Sequence, residues 1–118
     1  MPFEYIVKSV DRIVDGDTLH LTADLGFKTF KKFTTRLNGI NTPETRTRDL
    51  DEKERGLAAK QFVIDWFDIH QHFQLIVRVY MQGKYGRWIA DIYAVSDKES
   101  HSLCEDLLAN GHAEKVEY

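Results

Sequence analysis

Cysteine is nearly absent from this chain: Cys104 stands alone among 118 residues. No internal disulfide can form, so the fold is not expected to depend on an oxidising compartment. There are only two prolines, no Pro-rich linker, no low-complexity segment and no internal repeat. A chain of this length suits one domain spanning 1–118. No apolar run approaches membrane-spanning length. The opening Met1-Pro2-Phe3-Glu4-Tyr5-Ile6-Val7-Lys8 has neither the charged start nor the unbroken apolar stretch of a signal peptide. A soluble, cytoplasmic monomer without a membrane partner is expected. An excess of positive charge is missing too: the formal net charge is −3, which by itself argues against a nucleic-acid partner.

The distribution of charge says more than its sum. Residues 28–48 carry six bases (Lys28, Lys31, Lys32, Arg36, Arg46, Arg48) against Glu44 alone, while residues 97–118 carry six acids against two bases. A local basic face attracts phosphates even on an acidic molecule. On charge alone, though, protective lysines on a strand edge are the commoner explanation.

Periodicity predicts three strands first. Tyr5 and Val7 lead into Val14-Asp15-Gly16-Asp17, where Asp-Gly signals a hairpin. Leu19, Leu21, Ala23 and Leu25 then alternate with polar residues. After a turn at Gly26 a third strand runs through Phe30, Phe33, Thr35 and Leu37; the opposite parity of the two phenylalanines predicts a bulge between them. Asn38-Gly39-Ile40-Asn41-Thr42-Pro43 reads as a loop, and Thr45 to Lys53 as a mobile surface loop. Ala59, Phe62, Val63, Trp66 and Phe67 form one apolar helical face, with Asp51 and Glu54 as its expected cap. Two further strands follow (Phe73 to Val79, Trp88 to Val95). A short helix comes last, with Ser102 and Glu105 as a capping box and Gly111 as its stop. This β-β-β-α-β-β-α order suits a five-stranded OB-fold barrel, which removes exposed sheet edges by closure. An open α+β sheet fits the same string.

Several residues have the chemistry of a phosphodiesterase site, although each has a simpler explanation when taken alone. Asp15 and Asp17 flank Gly16 and can offer oxygen ligands to a hard cation, but Asp-Gly is also ordinary turn chemistry. Arg36 can clamp a phosphate with its planar fork, yet exposed strand arginines are common. Glu44, held extended by Pro43, can act as a base on an attacking water. Lys84-Tyr85-Gly86-Arg87 can present an aromatic face and a second guanidinium, or be a hairpin turn.

Together, Val14-Asp15-Gly16-Asp17-Thr18, Arg36-Leu37, Ile40-Asn41-Thr42-Pro43-Glu44-Thr45 and Lys84-Tyr85-Gly86-Arg87 resemble the thermonuclease (staphylococcal nuclease) family in order and approximate spacing. The stretch from Glu105 through Gly111 to Lys115 resembles that family's last barrel-packing helix and exit strand. The resemblance implies a calcium-dependent (or other divalent-metal) endonuclease that hydrolyses DNA and RNA with little sequence preference, leaving 3′-phosphate ends. It implies that Asp17 is a direct metal ligand, Asp15 a nearby carboxylate and Thr42 a carbonyl donor. Arg36 and Arg87 correspond to the pair that holds the scissile phosphate, Glu44 to the general base, and Lys84 and Tyr85 to groups on the phosphate and sugar. Asn41 departs from the pattern, which has aspartate there as a second charged ligand; its amide oxygen can still coordinate, with one charge fewer. The alternative is a weak or inactive nuclease-like OB module that binds nucleic acid or protein. Joint retention of Arg36, Glu44 and Arg87 favours the enzyme, and Asn41 favours the module.

Overall fold

The structure is a computed structural model and describes residues 2–117. Its principal strands are β1 (Phe3–Asp15), β2 (Thr18–Asp24), β3 (Phe30–Leu37), β5 (Gln74–Gln82) and β6 (Trp88–Val95); the two-residue β4 (Ile40–Asn41) lies between β3 and the first helix. They pair in the order β3-β2-β1-β5-β6, and β6 returns to β3 in parallel, opposing Thr35 to Trp88 and Leu37 to Ala90. The Thr35 hydroxyl donates to the Trp88 carbonyl at 2.8 Å across that seam. This closed five-stranded barrel excludes the open α+β sheet. Helix α1 (Leu50–Ile69) and helix α2 (Leu103–Ala109) pack on it, and a short β7 (Ser100–Ser102) pairs antiparallel with the end of β6.

The alternation predicted for β2 is the barrel's interior: Leu19 and Leu21 are fully buried and Ala23 nearly so. They meet Leu37, Val77, Ile92, Val63 and Leu107 in one core. The bulge expected in the third strand is absent, because β2 and β3 pair without a shift from Thr18–Arg36 to Asp24–Phe30. Phe30 simply faces outward, half-exposed, while Phe33 packs against the core. The irregularities fall in β1, with three register shifts against β2, and in β5 between Val79 and Met81. A strand that must pair with two neighbours around a barrel corner has to bend, and bulges supply the bend.

The loop expected from Thr45 to Lys53 is shorter, since α1 begins at Leu50. Its cap is Asp49 and not Asp51 with Glu54: the Asp49 carboxylate accepts from the backbone N–H groups of Asp51 and Glu52. The segment before it is pinned, with Thr45 Oγ1 donating to Asp15 and Thr47 Oγ1 to Glu52. The predicted apolar face holds, as Ala59, Val63 and Trp66 are buried with Gly56. In α2, Ser102 accepts from the Glu105 N–H as expected of a cap. Gly111, with φ of 76°, follows the helix end in the left-handed region that glycine tolerates. Beyond it β8 (Glu114–Lys115) pairs with β4, opposing Glu114 to Asn41.

Candidate functional site

The site begins at the β1–β2 hairpin. Asp15 closes β1 opposite Thr18, and Gly16 and Asp17 make the turn. Gly16 is there for space. A Cβ at that position would stand 2.9 Å from the Ala59 Cβ of α1 and 3.1 Å from the Thr42 hydroxyl. The hairpin therefore presses on both the helix and the Asn38–Glu44 loop. Asp17 is buried at 8% exposure, and its neighbours come from three segments. Thr18 Oγ1 donates to its Oδ1 at 3.1 Å, the Thr42 backbone N–H donates to its Oδ2 at 3.0 Å, and Arg36 Nη1 lies 3.4 Å from that same oxygen. The Asp17 carbonyl also accepts from the Leu37 N–H at 2.9 Å.

Arg36, on the last turn of pleat in β3, ties the loop together. Its Nη1 donates to the Ile40 carbonyl at 2.9 Å and to that of Leu37 at 3.3 Å, and its Nη2 donates to Asn41 Oδ1 at 3.2 Å. Asp17, Arg36, Asn41 and Thr42 thus form one connected cluster. The Thr42 hydroxyl is buried there without a hydrogen-bond partner among the described residues. Asp15 borders the cluster through Thr45. The side chains of the cluster offer oxygen or guanidinium, a set suited to a hard cation or an anion. No group of three His, Cys, Asp or Glu side chains gathers among the described residues.

Glu44 lies one step farther along. It is exposed, and its carboxylate makes no hydrogen bond or ion pair among the described residues; only its backbone N–H is held, donating to Glu52 at 3.4 Å. Helix α1 fixes its backbone. A Cβ on Gly56 would fall 2.5 Å from the Glu44 carbonyl oxygen and 2.8 Å from that of Pro43. The missing side chain of Gly56 permits this close approach of helix to loop.

Lys84, Tyr85 and Gly86 form a single 3₁₀ turn between β5 and β6. Tyr85 is a non-glycine residue at φ of 62° and is 91% exposed. Arg87 follows, with its guanidinium carbon 5.8 Å from the centre of the Tyr85 ring and its Nε buried without a hydrogen-bond partner among the described residues. Because Trp88 pairs with Thr35, the β3–β6 seam brings Arg87 beside the strand that carries Arg36. No hydrogen bond or ion pair joins Lys84, Tyr85 or Arg87 to the Asp17–Arg36 cluster among the described residues.

One residue escaped sequence reading altogether. Asp91 is 6% exposed in β6, and its carboxylate accepts from Ser102 Oγ at 2.5 Å, from the Ile92 N–H at 2.7 Å and from the Cys104 N–H at 3.2 Å. An aspartate at the centre of an apolar strand was the available signal. Burial, and then Asp91, push the neighbouring Cys104 thiol far above its ordinary range.

The sequence model of the family described as staphylococcal nuclease homologue matches residues 34–118, most of the chain. The chain belongs to that family. No individual curated protein matches closely enough to count as a relative. The matched stretch of this nuclease homologue contains Arg36, Asn41, Thr42, Glu44, Lys84, Tyr85 and Arg87. Asp15 and Asp17 precede it, joined to the matched part through Thr45, Arg36 and the Thr42 N–H.

Proposed function

We propose that the protein is a divalent-metal-dependent endonuclease that hydrolyses DNA or RNA phosphodiesters with little sequence preference and leaves 3′-phosphate ends. The observation that carries this reading is the Asp17–Arg36–Thr42 cluster, with Asp15 beside it and an unpartnered Glu44 carboxylate next along the loop. A structural ion pair alone would have no use for the orphaned Thr42 hydroxyl, the second carboxylate and a free glutamate held in place by α1.

The residues suit calcium or another hard cation. Asp17 and Asp15 would supply charge, and the Thr42 carbonyl and the Asn41 amide neutral oxygens. The buried, unsatisfied Thr42 hydroxyl supports the fit. Asn41 qualifies it, since one lone pair of its oxygen is already engaged by Arg36. When bound, such a cation neutralises the phosphodiester and acidifies water. The chain's own groups do the rest. Arg36 and Arg87 hold the phosphate and stabilise charge growing on its oxygens, each such donor being worth roughly 3 kcal/mol. Glu44, free of internal partners, takes a proton from water or aligns it for attack. Lys84 and Tyr85 contact the phosphate and sugar from the exposed 3₁₀ turn.

The test is digestion of single- and double-stranded DNA and of RNA with calcium, magnesium, manganese or chelator. Cleavage that requires a divalent ion and yields 3′-phosphate termini is expected. Binding without cleavage in every metal would favour the alternative, an inactive nuclease-like module, for which Asn41 is the one specific indication.

A further inference from the structure

We propose that the outer face of the β1–β2–β3 sheet, running from Arg36 to the Phe27 tip, is a track for single-stranded nucleic acid extending beyond the proposed cleavage site. The inference rests on that reading for one point, Arg36 as the phosphate-holding end. Most of the track precedes residue 34, outside the stretch matched by the family.

Strand parity builds the row. In β3 the Thr35 and Leu37 side chains are fully buried and Phe33 packs against the core, so Phe30, Lys32, Thr34 and Arg36 share the outer face. Same-face neighbours lie about 6.6 Å apart along a strand, which makes the row roughly 20 Å long. Register sets Asp24, Thr22, His20 and Thr18 of β2 opposite these four, and Arg12 of β1 opposite His20. Thr34 Oγ1 and His20 Nδ1 are 3.0 Å apart, and Lys8 places its ammonium 5.6 Å from the centre of the Phe30 ring. Lys8, Arg12, Lys28, Lys32 and Arg36 face three carboxylates outside the site, Asp11, Asp24 and Glu4, and all are engaged, Glu4 with Arg78 at 3.6 Å. Asp11 accepts from Ser9 and Thr22, and Asp24 from the Gly26 N–H.

The far end is stranger. Gly26, Phe27 and Lys28 are all left-handed, with φ of 85°, 55° and 60°. A phenylalanine at positive φ is a strained outlier, and this one is wholly exposed. The ring contributes nothing to the core, yet it stands at the tip next to Lys28, and Phe30 farther along is half-exposed. Cations tracking a backbone, interleaved with aromatic faces on which bases stack, are the chemistry of sequence-tolerant single-strand binding. A duplex keeps its base faces stacked and leaves the rings unused. An anionic membrane would engage the tip but not the flat row of Lys32, Thr34 and His20 leading to Arg36.

Fluorescence anisotropy in chelator, which prevents cleavage, tests this with labelled oligothymidylates of about 4 and about 16 nucleotides, spanning the site sizes of single OB folds. The parent should bind the longer strand at least about tenfold more tightly. The Phe27→Ser/Phe30→Ser double variant should lose roughly tenfold on the long strand and nothing on the short one. Lys32→Ala should lower the slope of log affinity against log salt by about 0.7. All three positions are exposed, and an unchanged melting temperature verifies the fold. Equal parental affinity for both lengths, or parental affinity in the double variant, overturns the track. So does loss of binding to phosphatidylserine vesicles in Phe27→Ser with oligonucleotide affinity intact, which makes the tip a membrane contact. If Arg36→Ala cleaves normally while the double variant still loses the long strand, the site reading fails and the track stands.

Discussion

Asp91 and Asp17 are the two buried carboxylates among the described residues, and the molecule treats them differently. Asp91 is enclosed by fixed donors: two backbone N–H groups and the Ser102 hydroxyl, joining β6 to the start of α2. Both of its oxygens are engaged. Asp17 shares its oxygens among a hydroxyl, one N–H and a guanidinium at 3.4 Å. Beside it lie a hydroxyl and an exposed glutamate carboxylate that find no partner among the described residues. The lesson is that burial alone does not mark a functional carboxylate. What distinguishes Asp17 is its place beside an unsatisfied hydroxyl and an unpaired charge, where a ligand would complete the set.

The largest expected effect falls on the arginines. Arg36→Ala and Arg87→Ala should each lower kcat by roughly 10²–10³-fold, the usual consequence of removing one preorganised charge-stabilising donor. Urea titration should show little loss of stability for Arg87→Ala and a clear one for Arg36→Ala, which strands Asp17; a turnover equal to the parent's would erase the distinction between the two carboxylates. Asp91→Ala should do the reverse. It strands two N–H groups and a hydroxyl in the core, at about 3 kcal/mol of stability. Below its melting temperature the variant should retain the parental KM.

Asn41→Asp sharpens the comparison from the side of Asp17. If Asn41 faces the metal, the added carboxylate should tighten calcium binding by about tenfold. If its bond to Arg36 is what matters, the new charge will pair with that arginine and calcium affinity will stay equal or fall. Calorimetric titration of parent and variant distinguishes the two.

The smallest effect is alkaline. Burial first, and then Asp91, hold the Cys104 thiol neutral in the fold, while in the unfolded chain it ionises near 9.0. The stabilisation is complete below that pH and is lost as pH rises above it, with a slope approaching about 1.4 kcal/mol per pH unit. Tyr93, pushed up to about 12 by burial and then by Asp91, adds a second loss starting near 10.0. Cys104→Ala should flatten the melting temperature between pH 9 and 10 relative to the parent, with the tyrosine's decline left in place above.

Much of the barrel was legible, because a half-buried strand and an amphipathic helix write their periods into the residues. Leu19, Leu21 and Ala23 showed the core face of β2, and Ala59, Val63 and Trp66 that of α1. The misplaced bulge and cap have local causes. Phe30 tolerates exposure beside Lys8, so parity misled, and Asp49 is as good a cap as Asp51 on paper. Long-range facts left no local trace: the three register shifts of β1, the pairing of β4 with β8 that anchors Asn41, and the approach of Gly56 to Glu44. The candidate site residues were nameable only through the family pattern, since each is an ordinary turn or strand residue when taken singly.

In the proposed reaction this loop cluster hydrolyses phosphodiesters with Glu44 acting on water. The most direct measurement is single-turnover cleavage of an end-labelled oligonucleotide at saturating calcium by the parent and by Glu44→Gln, which keeps size and removes the basic carboxylate. A loss of about 10²-fold or more is expected, with oligonucleotide affinity and melting temperature unchanged. Equal rates in the two proteins would contradict it and reduce Glu44 to a loop residue.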